Sequence, residues 1–120
     1  MNKDTANEAE IYAYLNKMND LEEKLGLKHI RISLDEEFNE EDVFYNQAFL
    51  LCLPFKHSVP YTRTMISPTW AEVLKVIDEL MGHYIEDYGP TDHIFLEKFD
   101  YDRVTGRAFV DNAFVAFFGS

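Results

Sequence analysis

The chain has 120 residues, a length suited to one domain, and 47% of them are hydrophobic. That content supports a real core and excludes a disordered chain. There are 22 Asp and Glu against 11 Lys and Arg, a net charge of −11. Such an excess argues against gripping nucleic acid through its phosphates and against docking on an anionic membrane, because both need basic surfaces.

The first segment reads as a helix over 7–25. Ile11, Leu15, Met18 and Leu25 recur with helical spacing, flanked by Tyr14 and Leu21. Gly26 then stands where a left-handed cap is wanted, with Leu27 folding back on the last turn. Glu22 breaks the pattern by falling on the apolar face. Next, Ile30, Ile32 and Leu34 alternate with polar residues, predicting a half-buried strand over 29–34. The run 35–42 carries six carboxylates in eight residues and leads into an aromatic and apolar stretch. A strand is expected over 44–53, although Ser33-x-x-Glu36 also resembles a capping box for a short helix. Two prolines mark 54–66 as a loop, with a short extended piece at 62–65.

The second helix is the clearest element. Ser67-Pro68 offers a cap and a first-turn proline. Trp70, Val73, Leu74, Ile77, Leu80, Met81, Tyr84, Ile85 and Tyr88 form one stripe, ended by Gly89-Pro90. Two last strands are expected over 93–101 and 107–118, joined by a hairpin loop at 102–106. The expected architecture is α+β: a single domain over 1–120 in the order α-β-β-α-β-β. Its two amphipathic helices pack on one face of a mainly antiparallel sheet.

Familiar catalytic patterns do not occur. The five glycines are scattered singly, there is no Gly-x-Ser-x-Gly elbow, and the four histidines lack metal-ligand spacing. Asp100-x-Asp102 has only a faint look of a calcium loop, because Val104 stands where an oxygen ligand belongs. No cofactor and no metal are implied. Cys52, the sole cysteine, lies in an apolar run and reads as a core residue; it permits no intrachain disulfide. Glu22 and Glu97 sit among apolar neighbours, where a salt bridge to Lys or Arg at the edge of the core explains them. The first residues lack the apolar stretch of a signal peptide, so a cytoplasmic protein is expected.

The acidity is clustered. Residues 1–42 hold 12 acids and 5 bases. On the second helix, Glu72, Glu79 and Glu86 are seven apart and stack along one line, with Asp87 beside them at an end where the helix dipole disfavours negative charge. A solvated face serves solubility equally well. A functional acidic face relieves its own repulsion when a basic partner docks, and it speeds and orients the encounter.

The leading expectation is therefore a non-enzymatic protein, with the electrostatics of a DNA mimic or an immunity protein, that binds and blocks a basic protein: a nuclease, another nucleic-acid-handling defence complex, or a toxin. Phage-borne inhibitors of host defence and toxin-neutralising immunity proteins have this composition, an analogy and not a family match. The expected contact residues are Asp35, Glu36, Glu37, Glu40, Glu41 and Asp42, with Phe38 and Tyr45 as apolar anchors. Glu72, Glu79, Glu86 and Asp87 form a second surface. With 18 aromatic residues, others such as Tyr12, Tyr61, Tyr101 and Phe118 also suit an interface. Two other classes stay open. One is a small-molecule site or small enzyme lined by His57, Tyr61, Thr62 and Arg63. The other is an accessory subunit that self-associates, as a homodimer, through the strands at 93–118.

Overall fold

The computed structural model describes residues 8–103 and 112–120. In chain order it has α1 (Glu8–Leu25), β1 (Arg31–Ile32), β2 (Ala48–Cys52), β3 (Thr62–Ile66), α2 (Trp70–Tyr88), β4 (Phe95–Arg103) and β5 (Asn112–Gly119). The α+β class holds. The order gains a strand, because the extended piece near 62–65 is a full sheet member, β3. Asn7, the hairpin positions 104–106 and the strand start at 107–111 lie outside the described residues; Asp102 and Arg103 belong to β4.

The five strands form one sheet in the order β1-β4-β5-β2-β3. The expected antiparallel sheet is in fact mixed. β4/β5 and β2/β3 are antiparallel, whereas β1/β4 and β2/β5 are parallel. The reason is topological. β3 ends at one edge and β4 lies next to the other, so the intervening segment must cross the sheet. α2 makes that crossing, and parallel pairs require such long connections.

α2 brings Val73, Leu74, Ile77, Leu80 and Met81 fully into the core with Phe49, Leu51, Leu53, Leu96 and Ala116. Each such aliphatic side chain contributes about 1.5–3 kcal/mol over its exposed state. α1 buries Met18 and Leu21 in the same core, with Tyr14 and Leu25 packed against it. Ile11 and Leu15, expected on its buried stripe, are instead about half exposed. β1 is only two residues long, shorter than the strand expected over 29–34, and among the described residues before Met18 only Tyr14 is half-buried.

Local signals explain the helix ends. Gly26 has φ 69°, and the Leu27 amide donates to Glu22 O, as a left-handed cap requires. α2 starts two residues later than Ser67-Pro68 suggested. Thr69 is the N-cap, and its hydroxyl accepts from the Glu72 amide while the Glu72 carboxylate accepts from the Thr69 amide. This reciprocal box satisfies two donors that the helix start leaves open. No helix follows Ser33: β2 begins only at Ala48, and residues 33–47 form a long irregular segment. No helix of the described residues is long and apolar enough to cross a membrane.

Candidate functional site

The acidic run 35–42 is a loop fastened to the body from several sides. The Trp70 and Ala71 amides, at the start of α2, donate to the carbonyls of Asp42 and Glu40 at 3.0 and 2.9 Å. Helix starts leave amides unsatisfied, and here the loop backbone supplies the acceptors. The Phe44 amide donates to Pro68 O at 2.8 Å. Asn39 turns the chain, since its side-chain oxygen and its carbonyl accept from the amides of Glu41 and Asp42. Lys24 at the end of α1 pairs with Glu40 at 2.8 Å, which raises the lysine pKa through the hydrogen bond first and the opposite charge second. The Tyr14 hydroxyl donates to Leu34 O at 2.6 Å; burial, then the charges of Asp35 and Glu22, raises its pKa.

Aromatic rings complete the anchorage. Phe38 stacks on Trp70 with centroids 4.7 Å apart. Phe44 meets Phe49, Trp70, Phe99 and Phe114 at 4.7–5.6 Å. Tyr45 meets Phe49, Tyr101 and Phe114. Stacked and edge-to-face contacts of this kind add about 0.5–1.5 kcal/mol each beyond buried area. Phe38 and Tyr45 are thus half-buried braces of the loop. Phe118 is also half-buried, Tyr61 is buried, and only Tyr12 and Tyr101 of the expected interface aromatics are mostly exposed.

The carboxylates divide into used and unused. Glu40 is engaged by Lys24, whereas Asp35, Glu36, Glu37, Glu41 and Asp42 are exposed and make no ion pair among the described residues. Two grooves flank Phe38. One of about 550 Å³ includes Lys17, Lys24 and Glu40, and one of about 580 Å³ is rimmed by Glu36, Glu37 and Asp42 over Ala13 and Met18. The line on α2 is mostly occupied internally. Glu72 closes the capping box, Glu79 pairs with Arg63, and Asp87 accepts from the Tyr61 hydroxyl. That last bond, then burial, pushes the Tyr61 pKa strongly upward. Glu86 alone of the four makes no ion pair or side-chain hydrogen bond among the described residues.

Neither a protein-family model, nor a curated protein, nor a solved structure matches this chain.

The acids that the core does hold are structural. Glu22 bonds the Arg31 guanidinium at 2.7 Å and accepts from the Ile32 amide at 2.8 Å, as the salt-bridge explanation requires. Glu97 departs from that explanation: it is exposed at the β-bulge between Leu96 and Lys98, next to the buried Leu96, and strand alternation puts it on the opposite sheet face. Sequence reasoning misses Asp78. Its buried carboxylate accepts from three successive amides, Lys28, His29 and Ile30, at 2.7–3.1 Å. The signal for it is the one that singles out Glu22, an acid on an apolar stripe, here between Leu74 and Met81.

Asp78 lies beside a groove of about 700 Å³, where His29 packs in a notch left by Gly82 and Lys28, Lys75 and His83 line the wall. A Cβ at residue 82 would stand 2.8 Å from the His29 ring. Of the residues expected to line a small-molecule site, Arg63 and Tyr61 serve the bonds above, Thr62 is buried in β3, and His57 is exposed.

Proposed function

We propose that this is a non-enzymatic protein that binds and blocks a basic protein surface, with the loop 35–42 as the contact. One observation supports this reading most. Five exposed carboxylates without ion partners are carried on a loop that hydrogen bonds and stacked rings hold in place. A loop kept only for solubility needs no such bracing. Preorganised charge loses little entropy on docking, so its electrostatic gain is retained as affinity.

The charge density limits the partner. Eight residues span at most about 28 Å, so five free charges lie several ångströms apart, sparser than duplex DNA at one charge per ~1.7 Å. The loop suits a patch of a few Lys and Arg, such as the phosphate-holding residues of a nuclease or toxin. It does not suit a long DNA channel. The groove rimmed by Glu36, Glu37 and Asp42 accepts an apolar side chain next to those cations. The second acidic surface reduces to Glu86, with Glu72, Glu79 and Asp87 supplying field.

The test is capture from an extract of the native host by wild-type protein and by a variant with Glu36, Glu37, Glu41 and Asp42 changed to Lys. A basic nucleic-acid enzyme or toxin held by the wild type, released by moderate salt and inhibited on rebinding, is the expected result. Equal capture by the reversed variant, with no change in salt dependence, would overturn the proposal.

A further inference from the structure

The two edges of the sheet are built differently. At one edge β1 is two residues long, and short edge strands resist pairing with other chains. At the other edge β3 runs for five residues, Thr62–Ile66, and bonds only to β2. Its register with β2 is continuous, with no bulge to twist it away. No described backbone or side chain takes up its outward amides and carbonyls. The sequence TRTMI favours a strand through Thr and Ile and has no proline. Ile66 is 77% exposed, second only to Val59 among the large apolar side chains of the described residues.

Charge narrows the occupant. β3 contains no acid, and its one charge, Arg63, is turned to its own helix and paired with Glu79. A neutral edge selects neither a basic nor an acidic strand. It does suit its own copy. Two β3 strands run antiparallel about Thr64 set Thr62 against Ile66, Arg63 against Met65 and Thr64 against Thr64. No like charges then face each other, and Thr62, Thr64 and Ile66 of both copies share one sheet face. The positive φ of Ser67, 46°, ends the strand and confines the pairing to these five residues.

We infer that the β3 edge is a self-association surface, joining two copies of this chain into one continuous ten-stranded sheet through a two-fold axis at Thr64. This goes beyond the acidic loop and does not depend on it. The interface is small, so the dimer is weak. Each copy carries −11, so salt strengthens it by screening repulsion, the reverse of its effect on a basic partner held by the loop.

The experiment is analytical ultracentrifugation of the full chain from micromolar to roughly 0.5 mM, where a weak interface of this class is still populated. It is run at low and high salt, for the wild type, Thr64→Glu, Thr64→Lys and an equimolar mixture of those two variants. Thr64 is exposed, so both variants fold, as circular dichroism checks. The expected result is a wild-type dimer favoured by salt, at least tenfold weaker association for each variant alone, and recovery in the mixture, where opposite charges meet across the axis. A chain that stays monomeric throughout, or a dimer indifferent to Thr64→Glu, overturns the inference. Binding only of a foreign extended peptide to β3, with no self-association, also overturns it.

Discussion

Asp78 and Glu22 on the helices, and the acids of the loop 35–42, use the same carboxylate chemistry for opposite ends. The helix acids are buried, and every oxygen meets a donor: three successive amides at Asp78, an amide and a guanidinium at Glu22. They tie residues 28–32 between α1, α2 and the sheet. The loop acids other than Glu40 are exposed and make no ion pair among the described residues, yet the backbone beneath them is bonded and stacked as firmly. A buried carboxylate is kept for the donors it satisfies. An exposed one on a braced backbone satisfies no donor among the described residues, and the proposed contact rests on that difference. These are two populations of carboxylate, and mutation separates them.

The strongest way to test the contrast is Asp78→Ala. It leaves the amides of Lys28, His29 and Ile30 without their acceptor, and a loss of about 3–5 kcal/mol is expected in urea unfolding. Asp78→Asn keeps the oxygen that serves all three amides and is expected to lose less than half as much. Equal losses for the two variants would mean that the charge matters and the bonds do not.

Phe44→Ala is next. It removes the ring that joins the loop to Trp70, Phe99 and Phe114, costing about 2–3 kcal/mol for a half-buried aromatic. Limited proteolysis is expected to cut first within 35–44. Unchanged resistance there would show that hydrogen bonds alone hold the loop. Glu22→Gln follows, at about 1–2 kcal/mol, with Arg31 left half exposed to find water instead.

Tyr61→Phe sharpens the picture at high pH. The hydrogen bond to Asp87 raises the tyrosine pKa, so the folded state holds this proton more tightly than the unfolded chain. That stability is present below the ordinary tyrosine pKa of about 10 and is lost as pH rises beyond it. The variant is expected to be less stable at pH 7 and to show a shallower decline above pH 10. A parallel decline would place the alkaline sensitivity in other tyrosines. The smallest effect belongs to the loop: the fourfold Lys variant of residues 36, 37, 41 and 42 is expected to stay within about 0.5 kcal/mol of wild type. A large loss would move those acids into the structural population.

Much of this was legible along the chain. The stripe from Trp70 to Tyr88 predicts α2 because a 3.6-residue period is a local property. Gly26 marks a helix end because its positive φ is local too. Glu22 is recognisable as a buried-edge acid, and the run 35–42 as a charge cluster. Asp78 goes unread in the same way as Glu22 is read, because nothing nearby in sequence names its donors, which lie 48–50 residues away. β3 reads only as a short extended piece within a loop, because the neighbouring prolines and serine are turn residues and its pairing partner lies elsewhere in the chain.

The α+β class, the two helices and the concentration of charge follow from composition and periodicity, since each depends on neighbours within a few residues. Tertiary structure alone decided which carboxylates stay available. The mixed strand pairing, the crossing of α2 and the docking of loop 35–42 on its start bring together residues far apart in the chain. Hydrogen bonds and salt bridges then occupy Glu40, Glu72, Glu79 and Asp87 and leave Asp35, Glu36, Glu37, Glu41 and Asp42 exposed. Partners separated by tens of residues leave no local periodicity, so a carboxylate's role depends on the fold that brings its donors within about 3 Å.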